Sequence, residues 1–106
     1  MNWIIVLVAG VFEVVMALSL ERSEGFSRLL PSLGFLVFGG ISFYLLAVAL
    51  RELPVGTAYA VWTGTGAVGT AALGILLLGE SASFWRLGGI LLIVAGIVAL
   101  RLAPGS

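Results

Sequence analysis

Four apolar runs, each long enough to cross a bilayer as a helix, constrain this chain more than any other feature. A membrane span needs about 20 mostly apolar residues. The runs cover roughly residues 2–20, 30–50, 55–78 and 84–102. Polar breaks separate them: Glu21 to Gly25 with Ser27 and Arg28, then Arg51 and Glu52, then Gly79 to Ser81. Pro54 suits the start of the third run, because the first helical turn has no use for its missing N–H. Hydrocarbon offers no partner to a bare N–H or C=O, so each run is expected to be a helix that satisfies its own backbone. The predicted fold class is all-α integral membrane, with residues 1–106 forming one four-helix transmembrane domain. Charge supports this: 9% of the residues are charged, against about 25% in soluble domains. The first run lacks a basic leading segment and a small-residue cleavage site, so it reads as a span and not a removable signal.

The same composition removes several kinds of chemistry. There is no cysteine and no histidine, which excludes disulfides, thiolate chemistry and the common soft metal sites. Five Arg balance five Glu, and neither Lys nor Asp occurs, so no basic footprint for nucleic acid exists. No nucleophile–base pair is visible. The expectation is a non-enzyme without metal or cofactor, whose partners are membrane lipid and whatever the spans themselves bind.

Nine of the ten charged residues fall in the breaks or near run ends, and Glu13 alone lies well inside a span. An ionised carboxylate at mid-bilayer costs about 2.5 kcal/mol or more, and intramembrane acids usually mark ion or proton pathways. Glutamate is short for snorkelling from near the centre of residues 2–20. Ala9, Gly10, Met16 and Ala17 lie three or four residues away and share its helical face. The small ones admit a neighbouring helix or a ligand, and Met16 adapts to varied apolar groups.

The third run reads PVGTAYAVWTGTGAVG from Pro54 to Gly69. Tyr59, Trp62, Thr63 and Gly66 share a helical face. Aromatic rings opposite a carboxylate build a cation site, and a phenol or indole can donate to that carboxylate; Tyr59, near the run's start, equally suits an interfacial belt. Gly64, Gly66, Gly69 and Gly74 would let the helix bend. In the second run Ser42 and Tyr44 are polar points in an apolar stretch, and Ser42 is the better candidate to hydrogen-bond a carboxylate. In the fourth, Gly89 and Gly96 are seven residues apart and fall on one face, a spacing that suits a dimer seam.

Topology is nearly unbiased. With both termini on one side, Arg51 and Arg101 oppose Arg22, Arg28 and Arg86, and arginine bias is what normally fixes orientation. Insertion in both orientations, giving an antiparallel pair, and single-residue noise both fit that count.

Over essentially its whole length the chain resembles the small multidrug resistance family of bacterial proton-coupled exporters. The resemblance is carried by its size and four spans, Glu13, the Gly89/Gly96 pair, EGFSRLLPS (Glu24 to Ser32), LPVGTAYAVWTGTGAVG (Leu53 to Gly69) and LLGES (Leu77 to Ser81). Gly10, Trp62-Thr63-Gly64 and Arg101 are similar to the guanidinium-exporter subgroup. The resemblance implies an antiparallel, dual-topology homodimer in the bacterial inner membrane. Its two Glu13 carboxylates would share one central site, used alternately by protons and a small organic cation: guanidinium, substituted guanidines or small quaternary ammoniums. Ser42, Tyr59 and Trp62 match the family's site positions, with Gly10 beside them. Met16 departs from the subgroup, which usually carries Trp there; its sulfur cannot donate a hydrogen bond, so a looser carboxylate and a larger, more apolar site are expected. A structural or regulatory membrane subunit, with Glu13 paired to another chain's Arg, is the alternative.

Overall fold

The computed structural model describes residues 2–104. Four α-helices follow in order: α1 (Asn2–Arg22), α2 (Leu29–Ala49), α3 (Val55–Leu78) and α4 (Phe84–Leu102). All four are long and apolar enough to cross a membrane. Only α1 clearly outruns its expected end, reaching Arg22. The turn after it is closed by Ser23, whose hydroxyl donates to the Leu20 carbonyl at 2.7 Å and accepts the Phe26 N–H at 3.1 Å. Glu24, Gly25 and Phe26 then all take positive φ, a strained run for the two that are not glycine. Gly79 ends α3 in the left-handed conformation, φ 68°, where a glycine bears no Cβ penalty. Ser83 caps α4 by accepting the Arg86 N–H at 3.3 Å.

The core is shared by three helices. Val6 and Ala9 of α1 pack with Leu46 and Ala49 of α2, with Ala58, Val61 and Trp62 of α3, and with Leu53 in the intervening turn. α1 runs along both α2 and α3, whereas α4 lies against α3. Close approach depends on missing side chains. A Cβ on Gly10 would stand 2.6 Å from Thr65 Cγ2, and one on Gly69 2.5 Å from Val14 Cγ2; both positions lie on the α1–α3 crossing. Gly39 accommodates Met16 on the α1–α2 seam, and Gly64 accommodates Ile97 between α3 and α4.

Each of the four glycines expected to let the third helix bend lies against a side chain: Gly64 against Ile97, Gly66 against Glu13, Gly69 against Val14 and Gly74 against Glu80. α3 is one uninterrupted α-helix. Helical glycines cost about 1 kcal/mol each relative to alanine, and here each admits a neighbour that a Cβ would displace.

α4 differs from the others in having no buried residue among those described. A Cβ on Gly88, Gly89 or Gly96 would meet nothing within 4 Å. The chain is accordingly a slab, 44 × 34 × 17 Å, with one thin dimension. The expected seam glycines thus lie on a face that the chain's other described helices leave open.

Candidate functional site

Glu13 sits on the α1–α3 crossing, a little past the middle of α1. Its carboxylate lies directly against Gly66 of α3, where any Cβ would collide with it. Gly10, one turn earlier, is in turn covered by Thr65. Glu13 Oε1 is buried and has no hydrogen-bond partner. The ion pair found among the described residues joins Glu80 to Arg86 in the α3–α4 turn, far along the chain from Glu13. A carboxylate with one oxygen withdrawn from water, and no donor or counter-ion for it, is costly to keep charged. Chemically it is a group that takes up either a proton or a cation.

The polar side chains expected around Glu13 are present, but they bond one another. Trp62 Nε1 donates to Ser42 Oγ at 2.8 Å, and Ser42 Oγ donates to the Ala9 carbonyl at 2.6 Å. Ser42 is fully buried and Trp62 nearly so. This relay ties α3 and α2 to the turn of α1 that carries Glu13, since Ala9 lies four residues before it. Contrary to the expectation from the sequence, Ser42 does not hydrogen-bond the carboxylate in this conformation; the Ala9 carbonyl accepts from it instead.

The aromatic residues form one cluster. Trp62 packs between Phe43, at 5.0 Å between centroids, and Tyr59, at 5.5 Å. Tyr59 is 56% exposed, so its ring faces out of the helix bundle while Trp62 faces in. Met16 is half-buried and directs its sulfur at Gly39 of α2. It lies on the α1–α2 seam, not against α3. Thr63, placed on the site face by the sequence, is exposed.

The residue that sequence reasoning missed is Thr65. Its Oγ1 is buried without a partner, and it shares that condition with Glu13 Oε1. Its signal was helical phase: Thr65 is adjacent to Gly66 and three residues after Trp62, so it faces α1, whereas Thr63 does not. At the end of the bundle Arg101 places its guanidinium 5.3 Å from the centre of the Trp3 ring, a cation–π contact at a membrane-interface position.

Residues 1–93 match the family profile described as Small Multidrug Resistance protein. The chain belongs to the small multidrug resistance family. Within it, the chain is similar to proteins named Guanidinium exporter. The one from Yersinia pseudotuberculosis serotype I (strain IP32953) is 59% identical over 103 residues, covering 97% of this chain and 99% of that protein. That of Salmonella typhimurium (strain LT2) is 58% identical over 103 residues, with 97% and 98% covered. That of Citrobacter freundii is 56% identical over the same length. Family membership and four helices able to span a bilayer make this small multidrug resistance protein a multi-pass membrane protein.

Proposed function

We propose that this chain exports guanidinium and related small organic cations from the bacterial cytoplasm in exchange for protons, as an antiparallel homodimer in the inner membrane. The observation that carries the reading is the buried, unpartnered Oε1 of the Glu13 carboxylate in the first span, in a chain 59% identical to a Guanidinium exporter. Two such carboxylates would share one central site. A cation favours their charged forms and protons their neutral forms, so each ligand expels the other, and that mutual exclusion is sufficient for antiport. Gly10 and Gly66 let the carboxylate side chain sit at the helix crossing. Ser42, Tyr59 and Trp62 supply the wall of the site, with Trp62 held by Ser42 and the Tyr59 ring turned outward toward the second copy. Two copies of opposite orientation would alternate access by exchanging roles, as inverted repeats do.

The open face of α4, with nothing against Gly89 or Gly96, supports a seam between copies. Dual topology is tested by a single cysteine at one terminus, which the cysteine-free parent makes clean. Labelling of about half the protein from each side of the cell membrane is expected. Labelling from one side only would rule out the antiparallel homodimer.

Selectivity follows from Met16. It offers Glu13 no N–H and adapts to apolar groups, so alkylguanidines or tetramethylammonium should be carried at least as well as guanidinium. Met16→Trp is expected to shift the ratio of guanidinium to tetramethylammonium transport by about tenfold toward guanidinium, or about 1.4 kcal/mol, the scale of one hydrogen bond to a charged group. Transport of both cations by both proteins in liposomes measures it. An unchanged ratio would remove Met16 from the selectivity determinants, and no transport of either cation by the parent would refute the export reading.

A further inference from the structure

Thr65 is a buried hydroxyl that the packing alone does not account for. A helical threonine commonly satisfies its hydroxyl on the carbonyl one turn back; Thr65 Oγ1 has no partner at all. Valine would fill the same volume without stranding a polar atom, and stranding one costs stability. The other orphaned oxygen is Glu13 Oε1, and the two belong to the same α1–α3 crossing. Gly66 lies under the carboxylate, Thr65 is its neighbour in α3, and the Thr65 side chain covers Gly10, one turn from Glu13. Neither Gly10 nor Gly66 carries a Cβ that would separate the two side chains.

The chemistry of the pair is complementary. A carboxylate only accepts, whereas a threonine hydroxyl is a free rotor with a proton to give. The donors nearby are spent: Trp62 Nε1 on Ser42, and Ser42 on the Ala9 carbonyl. Met16 has none to offer. We propose that Thr65 is a positioning residue for Glu13, its hydroxyl turning to donate to the carboxylate when that group is charged and holds a cation. α3 would thereby supply the hydrogen bond that position 16 of α1 cannot. In this conformation the bond is open: Thr65 Oγ1 and Glu13 Oε1 are both buried and unpaired on the same helix crossing.

This inference rests on Glu13 being the cation site, and the test separates the two. Binding of guanidinium to the purified full-length protein is measured at one alkaline pH, alongside thermal stability, for the parent, Thr65→Val, Thr65→Ser and Glu13→Gln. Thr65→Val is expected to bind guanidinium about tenfold more weakly while melting at the same or a higher temperature, because an unpaired buried hydroxyl has been removed. Thr65→Ser keeps the hydroxyl and should bind like the parent. Thr65→Val binding like the parent would overturn the proposal, and so would Thr65→Ser binding as weakly as Thr65→Val, since the methyl group and not the hydroxyl would then matter. Should Thr65→Val not fold, Thr65→Ala against Thr65→Ser decides the same question: equal affinities overturn the proposal. Undiminished binding by Glu13→Gln would instead overturn the assignment of the cation site itself.

Discussion

Glu13→Gln is expected to reduce guanidinium export from proteoliposomes at least about a hundredfold, or about 2.8 kcal/mol at 1.4 kcal/mol per factor of ten, while leaving a folded dimer. Glutamine has nearly the same volume and shape, so the crossing over Gly66 survives. It is neutral at every pH, so it can neither attract a cation nor exchange a proton. Insertion should be no worse than in the parent, because a neutral amide at mid-span costs less than an ionised acid. Thermal stability and the oligomeric state in detergent should therefore match the parent. Coupled transport surviving in this variant would refute the assignment of Glu13. Loss of the dimer together with transport would favour an assembly role for the carboxylate.

The second large effect is expected at Gly66. A Cβ there would occupy the position of the Glu13 carboxylate, so Gly66→Ala must either push Glu13 out of the crossing or part the two helices. Overpacking of this kind costs about 1–3 kcal/mol, partly offset by about 1 kcal/mol of improved helix propensity. The net change in stability should thus be small, while transport falls about tenfold or more because the carboxylate is displaced from its working position. Gly56→Ala is the matched control. A Cβ at Gly56 meets nothing within 4 Å, and its transport and melting temperature should stay close to those of the parent. Guanidinium uptake and thermal melting of both variants check this. Gly66→Ala transporting at the parental rate would mean that the contact between the carboxylate and α3 does not matter to function.

Much of the fold was legible because lipid imposes a strong rule. Each span must be a helix of a set length, and the observed helices fall on the four apolar runs. Glu13 was legible for the same reason, as the one charge well inside a span. The partners of the polar side chains were not. Ser42 and Trp62 could be recognised as donors from their chemistry, but their bonding to each other and to the Ala9 carbonyl is a tertiary contact among three helices that no local pattern encodes. Thr63 and Thr65 differ in the same way. Both are threonines in a glycine-rich stretch, and only the rotation of α3 about its axis sends one outward and the other onto Gly10. The α3 glycines carried a signal for an unusual helix, but their composition alone could not separate bending from close packing. The spacing of Gly89 and Gly96 was readable, whereas the openness of that face depended on how α4 docks on α3.

Competition between protons and a cation for the same carboxylate is tested most directly by proton release from the purified protein. Guanidinium chloride is added to the parent and to Glu13→Gln in weakly buffered detergent solution near neutral pH, and the released protons are read with an indicator dye. Saturable release by the parent, with none from Glu13→Gln, is the expected result. No release from a parent that binds guanidinium, or equal release from both proteins, would contradict it.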